Sequence, residues 1–467
     1  MTERSTSVKR LAALSAALAI ALGACGTAAP PSAPPAASSS QAAATASAAA
    51  VESVSPTVDP ATVTGDITVS LWDYGNPDSK TWLADFNKVY PNVHVELKNV
   101  DLNAYRQALQ LQLTSGQTSD IVQLYESDTP QYKDVLEDLE PYAVKTWGAD
   151  WKSKFAPGAL DQQIIDGKVV GMPQYLAGPG SLFYSQEVFD KLGLKPPTTY
   201  AELKDVATKL KAAGLQALAL GVKDGWIDTY VYRIIALQAD AKAQAEAAQC
   251  KRPWTDPALV KAMQVWSDLF TDGILSKDQL AQAQYPDAVD ALTTQKAGTL
   301  FNGTWHNQTL TNAGYKVYID GRTLPDPSHQ YVLRSTNFPA VIDGAKPVYA
   351  LGTHGWGINP QSTNKDAAWA FIAWYVSEPG QKWIADTTYI PVWAGMAPSY
   401  TDVITPDQVN DIKTQTDYIQ TGGGYVGPTL ILTGEQTNAL TDALQGVATG
   451  AQTPDAAMAA VQAASGC

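Results

Sequence analysis

The amino-acid sequence predicts an α/β fold in two lobes, and three observations carry that reading. From Val63 onward, strand-like and helix-like patterns alternate with short links. From there to Cys467 the body runs for about 400 residues, more than one hydrophobic core usually serves. Its composition, 45% hydrophobic and 17% charged, is that of an ordinary globular chain.

Asp66-Ile-Thr-Val-Ser-Leu-Trp72 alternates and is rich in β-formers, so it reads as a strand. Asp73-Tyr-Gly-Asn-Pro77 breaks it. A helix follows from Ser79 to Tyr90, with Trp82, Leu83, Phe86 and Val89 on one face. Pro91-Asn92 ends it, and Val93-His-Val-Glu-Leu97 is the next strand. Tyr105 to Thr114 reads as a helix, with Leu109 and Leu113 at i,i+4. Ser119-Asp-Ile-Val-Gln-Leu124 is a third strand. This β-α-β-α-β opening predicts a largely parallel sheet. Ligands of such sheets sit beyond the carboxyl ends of the strands, which draws attention to Asp73–Asn76 and Tyr125–Asp128. Further on, Ser181–Tyr184, Leu218–Leu220 and Gly298–Phe301 read as strands. Glu187–Leu192, Tyr200–Ala213, Asp228 to about Gln249, Pro257–Phe270 and Lys365–Val376 read as helices.

The first 25 residues have a different character. Arg4, Lys9 and Arg10 precede an apolar run from Leu11 to Leu22, and Gly23-Ala24 leads into Cys25. The run is too short for a permanent membrane span and fits a secretory leader. A cysteine directly after small residues resembles the bacterial lipobox, which implies lipidation at Cys25 and a mature chain held on the outer face of a membrane. Residues 26–62 are nearly all Ala, Ser, Pro, Thr and Val, with Glu52 and Asp59 the only charges. Such a segment cannot bury enough apolar surface to order itself, and about 37 residues reach roughly 35 Å as a flexible tether.

The net charge is −14. Three basic residues and one acid lie in residues 1–25, so the remainder carries −16. An acidic body disfavours nucleic acid and anionic membrane surfaces as partners. With Cys25 assigned to lipid, Cys250 and Cys467 are left; outside the cell a disulfide between them is expected, two free thiols being the alternative. The four histidines are scattered and no Cys/His spacing suggests a metal site, so no metal and no cofactor are expected. Gly422-Gly-Gly-Tyr425 lacks the Lys-Ser/Thr and the strand-to-helix frame of a phosphate cradle.

Five strings, in order, resemble the carbohydrate-binding type of extracellular solute-binding proteins of ABC importers, the family that includes maltose-binding protein. They are Leu71-Trp-Asp-Tyr-Gly75; Ser119-Asp-Ile-Val-Gln-Leu-Tyr125; Asp166-Gly-Lys-Val-Val-Gly-Met-Pro173 with the following Leu182-Phe-Tyr184, Phe189–Gly193 and Pro197–Tyr200; Ala297-Gly-Thr-Leu-Phe-Asn-Gly-Thr-Trp305; and Gly355-Trp-Gly-Ile-Asn359 with Ala368–Ile372 and Glu378–Gln381. The resemblance spans nearly all of 63–467. It implies a two-lobed, periplasmic-binding-protein-like fold with a hinge of three chain crossings, near Met172–Gly178, Ala350–Gly357 and Tyr389–Gly395. One lobe would hold 63–174 and 352–390, the other 175–351 and 391–467, which puts both remaining cysteines in one lobe.

A saccharide offers an apolar ring face to aromatic side chains and a rim of hydroxyls to carboxylates and amides. The chain has 13 Trp against 8 Phe. Trp82, Trp266, Trp369, Trp374 and Trp383 fall in helical patterns and read as core. Trp305 ends a turn after a strand, where the family presents a stacking aromatic. Trp356 sits between two glycines at a crossing, and Trp226 follows Gly225. Tyr175 lies on the first crossing and Trp393 on the third. Asp73 and Asn76 follow the first strand, with a helix cap or turn as the plainer alternative; Glu126 and Asp128 follow the third, where the family often places a hydroxyl-binding carboxylate, and the loop shape decides which of the two points inward. His306, beside Trp305, is not expected to touch ligand.

The resulting expectation is a lipid-anchored, monomeric, non-enzymatic receptor that passes a sugar or oligosaccharide to membrane permease subunits. A receptor for a polyamine or quaternary amine also suits aromatics with carboxylates. A surface glycan hydrolase would need two carboxyls about 5–9.5 Å apart across a bond.

Overall fold

The computed structural model describes residues 59–72, 79–100, 102–115, 118–125, 128–387, 389–419 and 430–467. The expected leader with Cys25, most of the expected tether, Asp73, Asn76, Glu126 and Gly422–Tyr425 lie outside the described residues.

In chain order the strands are β1 (Gly65–Leu71), β2 (Val93–Asn99), β3 (Ile121–Leu124), β4 (Ile164–Ile165), β5 (Lys168–Val169), β6 (Met172–Pro173), β7 (Pro179–Ser185), β8 (Gln216–Ala219), β9 (Ala297–Gly303), β10 (Leu333–Asn337) and β11 (Gly355–Ile358). They form a five-stranded sheet in the order β2-β1-β3-β11-β6, a four-stranded sheet β10-β7-β9-β8, and the small hairpin β4-β5. β1 runs parallel to β2 and β3, as the opening pattern predicts. The expectation of a largely parallel sheet fails beyond that. β11 is antiparallel to both β3 and β6, β7 is antiparallel to β9 and β10, and only β8 and β9 pair parallel in the second sheet. β11 enters the first sheet on a chain returning from the second, a direction that local sequence patterns do not encode.

Each sheet has its own core. Around the first, the helix Lys365–Val376 is buried from Ala367 to Val376, not on one face only. Its Phe371 and Tyr375 meet Trp82 and Trp356 at ring distances of 5.5–5.9 Å. β3, β7, β9 and β11 are buried at every position, because helices cover both faces of the sheets. Around the second sheet, Trp266 and Met263 of the helix Pro257–Thr271 pack with Leu440, Leu444, Met458 and Val461 of the helices Gly434–Thr449 and Pro454–Ala464. Val392 and Trp393, which the sequence reading put in the second lobe, pack in the first core with Phe155 and Trp147.

The long helix expected from Asp228 to Gln249 is two helices, Trp226–Ala239 and Ala243–Ala248. Asp240 breaks it: its backbone turns extended, and its carboxylate accepts from the Arg252 Nη1–H at 2.7 Å and the Lys242 N–H at 2.9 Å. Just beyond, a disulfide joins Cys250 to Cys467, with Cα atoms 5.2 Å apart.

Three segments run side by side between the sheets. The Gln174 N–H donates to the His354 carbonyl at 2.9 Å, Leu176 to Ile390 at 2.8 Å, and Gly352 to Ala177 at 2.7 Å. Buried amides tie them further. Gln123 Nε2 donates to Gln174 Oε1 at 3.0 Å. Gln381 Nε2 donates to the Gln174 carbonyl and its Oε1 accepts the Val392 N–H, both at 2.7 Å. Gly178 lies so close that a Cβ there would sit 2.5 Å from the Ala350 oxygen.

Candidate functional site

A cavity of about 610 Å³ opens where the two sheets face each other across these segments. That is a size typical of small-molecule sites. Trp72 begins the first wall at the end of β1, where its N–H donates to Gln123 Oε1 at 3.0 Å. Its ring lies 5.0 Å from His354 and 6.0 Å from Tyr125, the residue after β3. Tyr175, on the first crossing, stacks on Tyr389 of the third at 4.1 Å, and its hydroxyl is 3.1 Å from His354 Nδ1.

The opposite wall belongs to the second sheet. Trp226 is the first residue of its helix, and Tyr230 and Arg233 follow at i+4 and i+7, so all three share the face that lines the cavity. Trp305, on the short helix Thr304–Leu310 after β9, donates from Nε1 to the Tyr285 hydroxyl at 3.1 Å. The Tyr285 ring is within 6° of parallel to Trp226. Across the cleft, the hydroxyls of Tyr125 and Tyr230 are 2.6 Å apart.

Trp305, Trp226 and Tyr175 thus stand together in one cavity, but three other expected contacts do not. Trp356 is fully buried in the first core, where its ring packs on Phe371 and Tyr375. Trp393 packs on Trp147 and Phe155 instead of the cavity. Asp128, read as a carboxylate for ligand hydroxyls, accepts two hydrogen bonds from Arg106, from Nε and Nη2, both at 2.6 Å. It is Arg106 that lines the cavity, with its guanidinium carbon 4.4 Å from the Tyr125 ring centroid. Asp224 supplies a carboxylate the sequence did not single out, and it accepts the Gln284 N–H at 2.8 Å. Trp72, Tyr230, Tyr285 and Arg233 were missed as well. The i, i+4, i+7 spacing of Trp226, Tyr230 and Arg233 was a readable signal; Tyr285, in an irregular turn, had none.

Two ionisable groups lie just behind the second wall. His306 is fully buried against Phe183 and Tyr318, and loss of hydration lowers its pKa to about 3, so it is neutral. Asp228 is also fully buried, and burial raises its carboxyl to about 8. Among the described residues, no group of His, Cys, Asp and Glu could hold a metal ion, and no helix is long and apolar enough to cross a membrane.

This architecture is widely shared. A chitin-oligosaccharide-binding protein superposes with a TM-score of 0.70 at 21% identity, over 85% of this chain and 98% of that one. An ABC substrate-binding protein of Listeria monocytogenes in complex with cycloalternan gives 0.69 at 19% identity, over 86% and 97%. In sequence, the multiple sugar-binding protein of Streptococcus mutans is 24% identical over 253 residues, 53% of this chain and 58% of that protein. The maltotriose-binding protein of Pyrococcus abyssi is 25% identical over 264 residues, 55% and 51%. The chain thus spans a little over half the length of these curated relatives. The sequence profile of the family described as bacterial extracellular solute-binding protein matches residues 37–382, most of the chain, and the chain belongs to that family.

Proposed function

We propose that this protein is the receptor of an ABC importer for a sugar or oligosaccharide, anchored through lipid on Cys25 and standing off the membrane on residues 26–62. The observation that carries the reading is the cavity between the lobes, walled by nine Trp and Tyr side chains drawn from both sheets and the crossings. Flat aromatic faces suit pyranose rings, and phenols, amides and charged groups around them suit hydroxyls. A ligand touching both walls stabilises the closed arrangement of the lobes. Binding, closure and hand-over to permease subunits involve no covalent step. A polyamine receptor is disfavoured because two of the charged side chains lining the cavity are arginines. A hydrolase would need two carboxyls across the bond: among the described residues lining the cavity Asp224 is the one carboxylate and Asp128 is engaged by Arg106, while Asp73 and Glu126, the pair that could be cast in those roles, lie outside the described residues.

Thermal unfolding of the chain against mono- and oligosaccharides, polyamines and betaine tests the reading, since a ligand of the native state raises the midpoint. The expected result is a rise with at least one saccharide, recovered uncleaved, that shrinks in Trp305→Ala by roughly tenfold or more in affinity. A rise only with a cationic solute, or recovery of cleaved sugar, would replace this function with the corresponding alternative. The anchor has its own readout: Cys25→Ser should move the protein from the membrane fraction to the medium, and an unchanged membrane fraction would remove the anchor from the proposal.

A further inference from the structure

Trp305 is held at its edge and across its face, and the run Asn302-Gly-Thr-Trp305 supplies most of the mount. Asn302 is fully buried; its Oδ1 accepts the Gly303 N–H at 3.0 Å, and its Nδ2 donates to the Tyr285 hydroxyl at 3.1 Å. The Trp305 Nε1–H donates to that same hydroxyl, also at 3.1 Å. An indole has one donor and no acceptor, so the oxygen that takes this bond sets where the ring edge points. Gly303 lies against the ring itself. A Cβ there would stand 2.0 Å from Cζ3 and 2.3 Å from Cε3 and Cη2 of Trp305, so the indole rests on bare backbone. Thr304 ties the turn to the first crossing: its N–H donates to the Gly178 carbonyl at 2.9 Å, and its Oγ1 accepts the Gly178 N–H at 3.2 Å.

Tyr285 is placed in turn by Gln284. That side chain is fully buried, with Oε1 accepting the Gly221 N–H at 2.8 Å and Nε2 donating to the Phe301 carbonyl of β9 at 3.0 Å. The Gln284 N–H donates to Asp224 at 2.8 Å, and a Cβ on Gly221 would sit 1.9 Å from the Gln284 nitrogen. Despite these buried anchors Tyr285 remains 39% exposed. An aromatic side chain fixed at the edge of solvent by buried amides is ordered before any ligand arrives, so its ordering does not count against binding.

We propose that Tyr285 is the positioning residue of Trp305: its hydroxyl, with Gly303 against the ring, fixes the plane of the indole so that it meets a saccharide without reorienting. The inference rests on the saccharide reading above and divides the work within the aromatic wall. Trp305 makes the stacking contact, and the Tyr285 hydroxyl acts through it. Tyr285→Phe keeps the ring and removes the acceptor, which frees the indole and returns its ordering cost to binding. Gly303→Ala displaces the indole by a different route. The backbone φ of −106° at Gly303 suits alanine, so the side chain of Trp305 yields rather than the chain.

Two readouts on the full chain decide the matter, one for the orientation of the indole and one for its use. With the indole nitrogens isotopically labelled, the magnetic resonance of the Trp305 N–H is the one missing from Trp305→Phe. Calorimetric titration with the mono- to trisaccharides of glucose, N-acetylglucosamine, xylose, galactose and mannose gives affinity. Tyr285→Phe should move the Trp305 resonance upfield, speed its exchange with water, and weaken the saccharide that binds the parent by roughly fivefold or more. In a Trp305→Phe background the same substitution should change affinity by less than about twofold, because the hydroxyl then has no indole to hold. Gly303→Ala should move the same resonance and weaken the same ligand. An equal loss of affinity in both backgrounds would make the Tyr285 hydroxyl a direct ligand contact and overturn the positioning role. So would a Trp305 resonance that Tyr285→Phe leaves in place. If the resonance moves in both variants and affinity does not, the plane of Trp305 is irrelevant to binding, and the inference falls while the saccharide reading stands. If no saccharide binds the parent, the function itself fails and the inference falls with it. Should Tyr285→Phe prove unfolded by its thermal midpoint, Gly303→Ala decides through the same two readouts.

Discussion

Asp228 lies between Trp226 and Tyr230 on the helix that walls the cavity, with its carboxyl out of water, and this one side chain sets a pH dependence. Burial raises its pKa to about 8, against the smaller lowering influence of the Thr229 N–H and the Gln445 amide. In the unfolded chain the same group ionises near 4. Between about pH 4 and pH 8 the native state therefore keeps a proton that the unfolded state releases. Stability from this group is full below pH 4, falls as pH rises through the window, and is gone above 8. The span is on the order of a few kcal/mol. His306 acts on the opposite side: its contribution is present above about pH 6.5 and declines as pH falls toward 3. Asp228→Asn keeps the shape and removes the titration. Its thermal midpoint should fall several degrees less than the parent's between pH 5 and 8.5; parallel curves would show that Asp228 is ionised in the native state. Neither buried group was legible as such, because burial is a tertiary property. The aromatics divide for a related reason. Trp226 and Trp305 follow a glycine and a strand end, positions that face a cleft in this fold, and local sequence marks them. Trp356 between glycines looked like clearance for a ligand, yet the space beside Gly355 is taken by Gln163, whose Oε1 would be 2.0 Å from an added Cβ. A glycine signals close approach without naming what approaches.

Helices and strands were read best where hydrophobic period and end signals agreed, as in Tyr200–Ala212, where Thr199 accepts the Glu202 N–H and Gly214 follows with φ of +77°. The reading failed where a charged side chain had a distant partner, as at Asp240, because Arg252 lies twelve residues on and the sequence does not say that they meet. The C-terminal helix pair joins the second lobe in two ways. Apolar side chains pack on the helix Pro257–Thr271, with Trp266 Nε1 donating to the Leu444 carbonyl at 2.9 Å, and the Cys250–Cys467 bond closes a loop across a separation of 217 residues. Cross-links of this kind contribute about 2–4 kcal/mol, chiefly by restricting the unfolded chain. The paired substitution Cys250→Ala with Cys467→Ala should lower the thermal midpoint by several degrees and leave ligand affinity within twofold, since neither cysteine lines the cavity. Reductant should have the same effect on the parent protein and none on the variant. A midpoint that neither treatment moves would mean that packing alone holds the C-terminus.

Binding in a two-lobed molecule depends on how the lobes turn about their crossings, and here the crossings are tied to the cavity itself. Trp72 in the wall bonds to Gln123, Gln123 to Gln174 on the first crossing, and Gln381 joins Gln174 to Val392 near the third. Gln123, Gln174 and Gln381 are fully buried, so breaking any one link leaves a polar atom without water to replace it. Gly178 tests this coupling most directly. A methyl group there meets the Ala350 oxygen at 2.5 Å and the Leu351 Cα at 2.9 Å, and both are backbone atoms that no rotamer change can move aside. Relief requires the first two crossings to separate by several tenths of an ångström. A shift at the pivot is carried to the cavity, where the Tyr125 and Tyr230 hydroxyls of opposite walls stand 2.6 Å apart. Gly178→Ala should therefore cost about 1–3 kcal/mol of stability and weaken ligand affinity tenfold or more. Small-angle scattering separates the two effects: the parent should become more compact with saturating ligand, and the variant should not reach the same radius. If the variant loses stability but closes and binds as the parent does, the strain is absorbed within one lobe and the crossings at Gly178 and Ala350 are not the pivot.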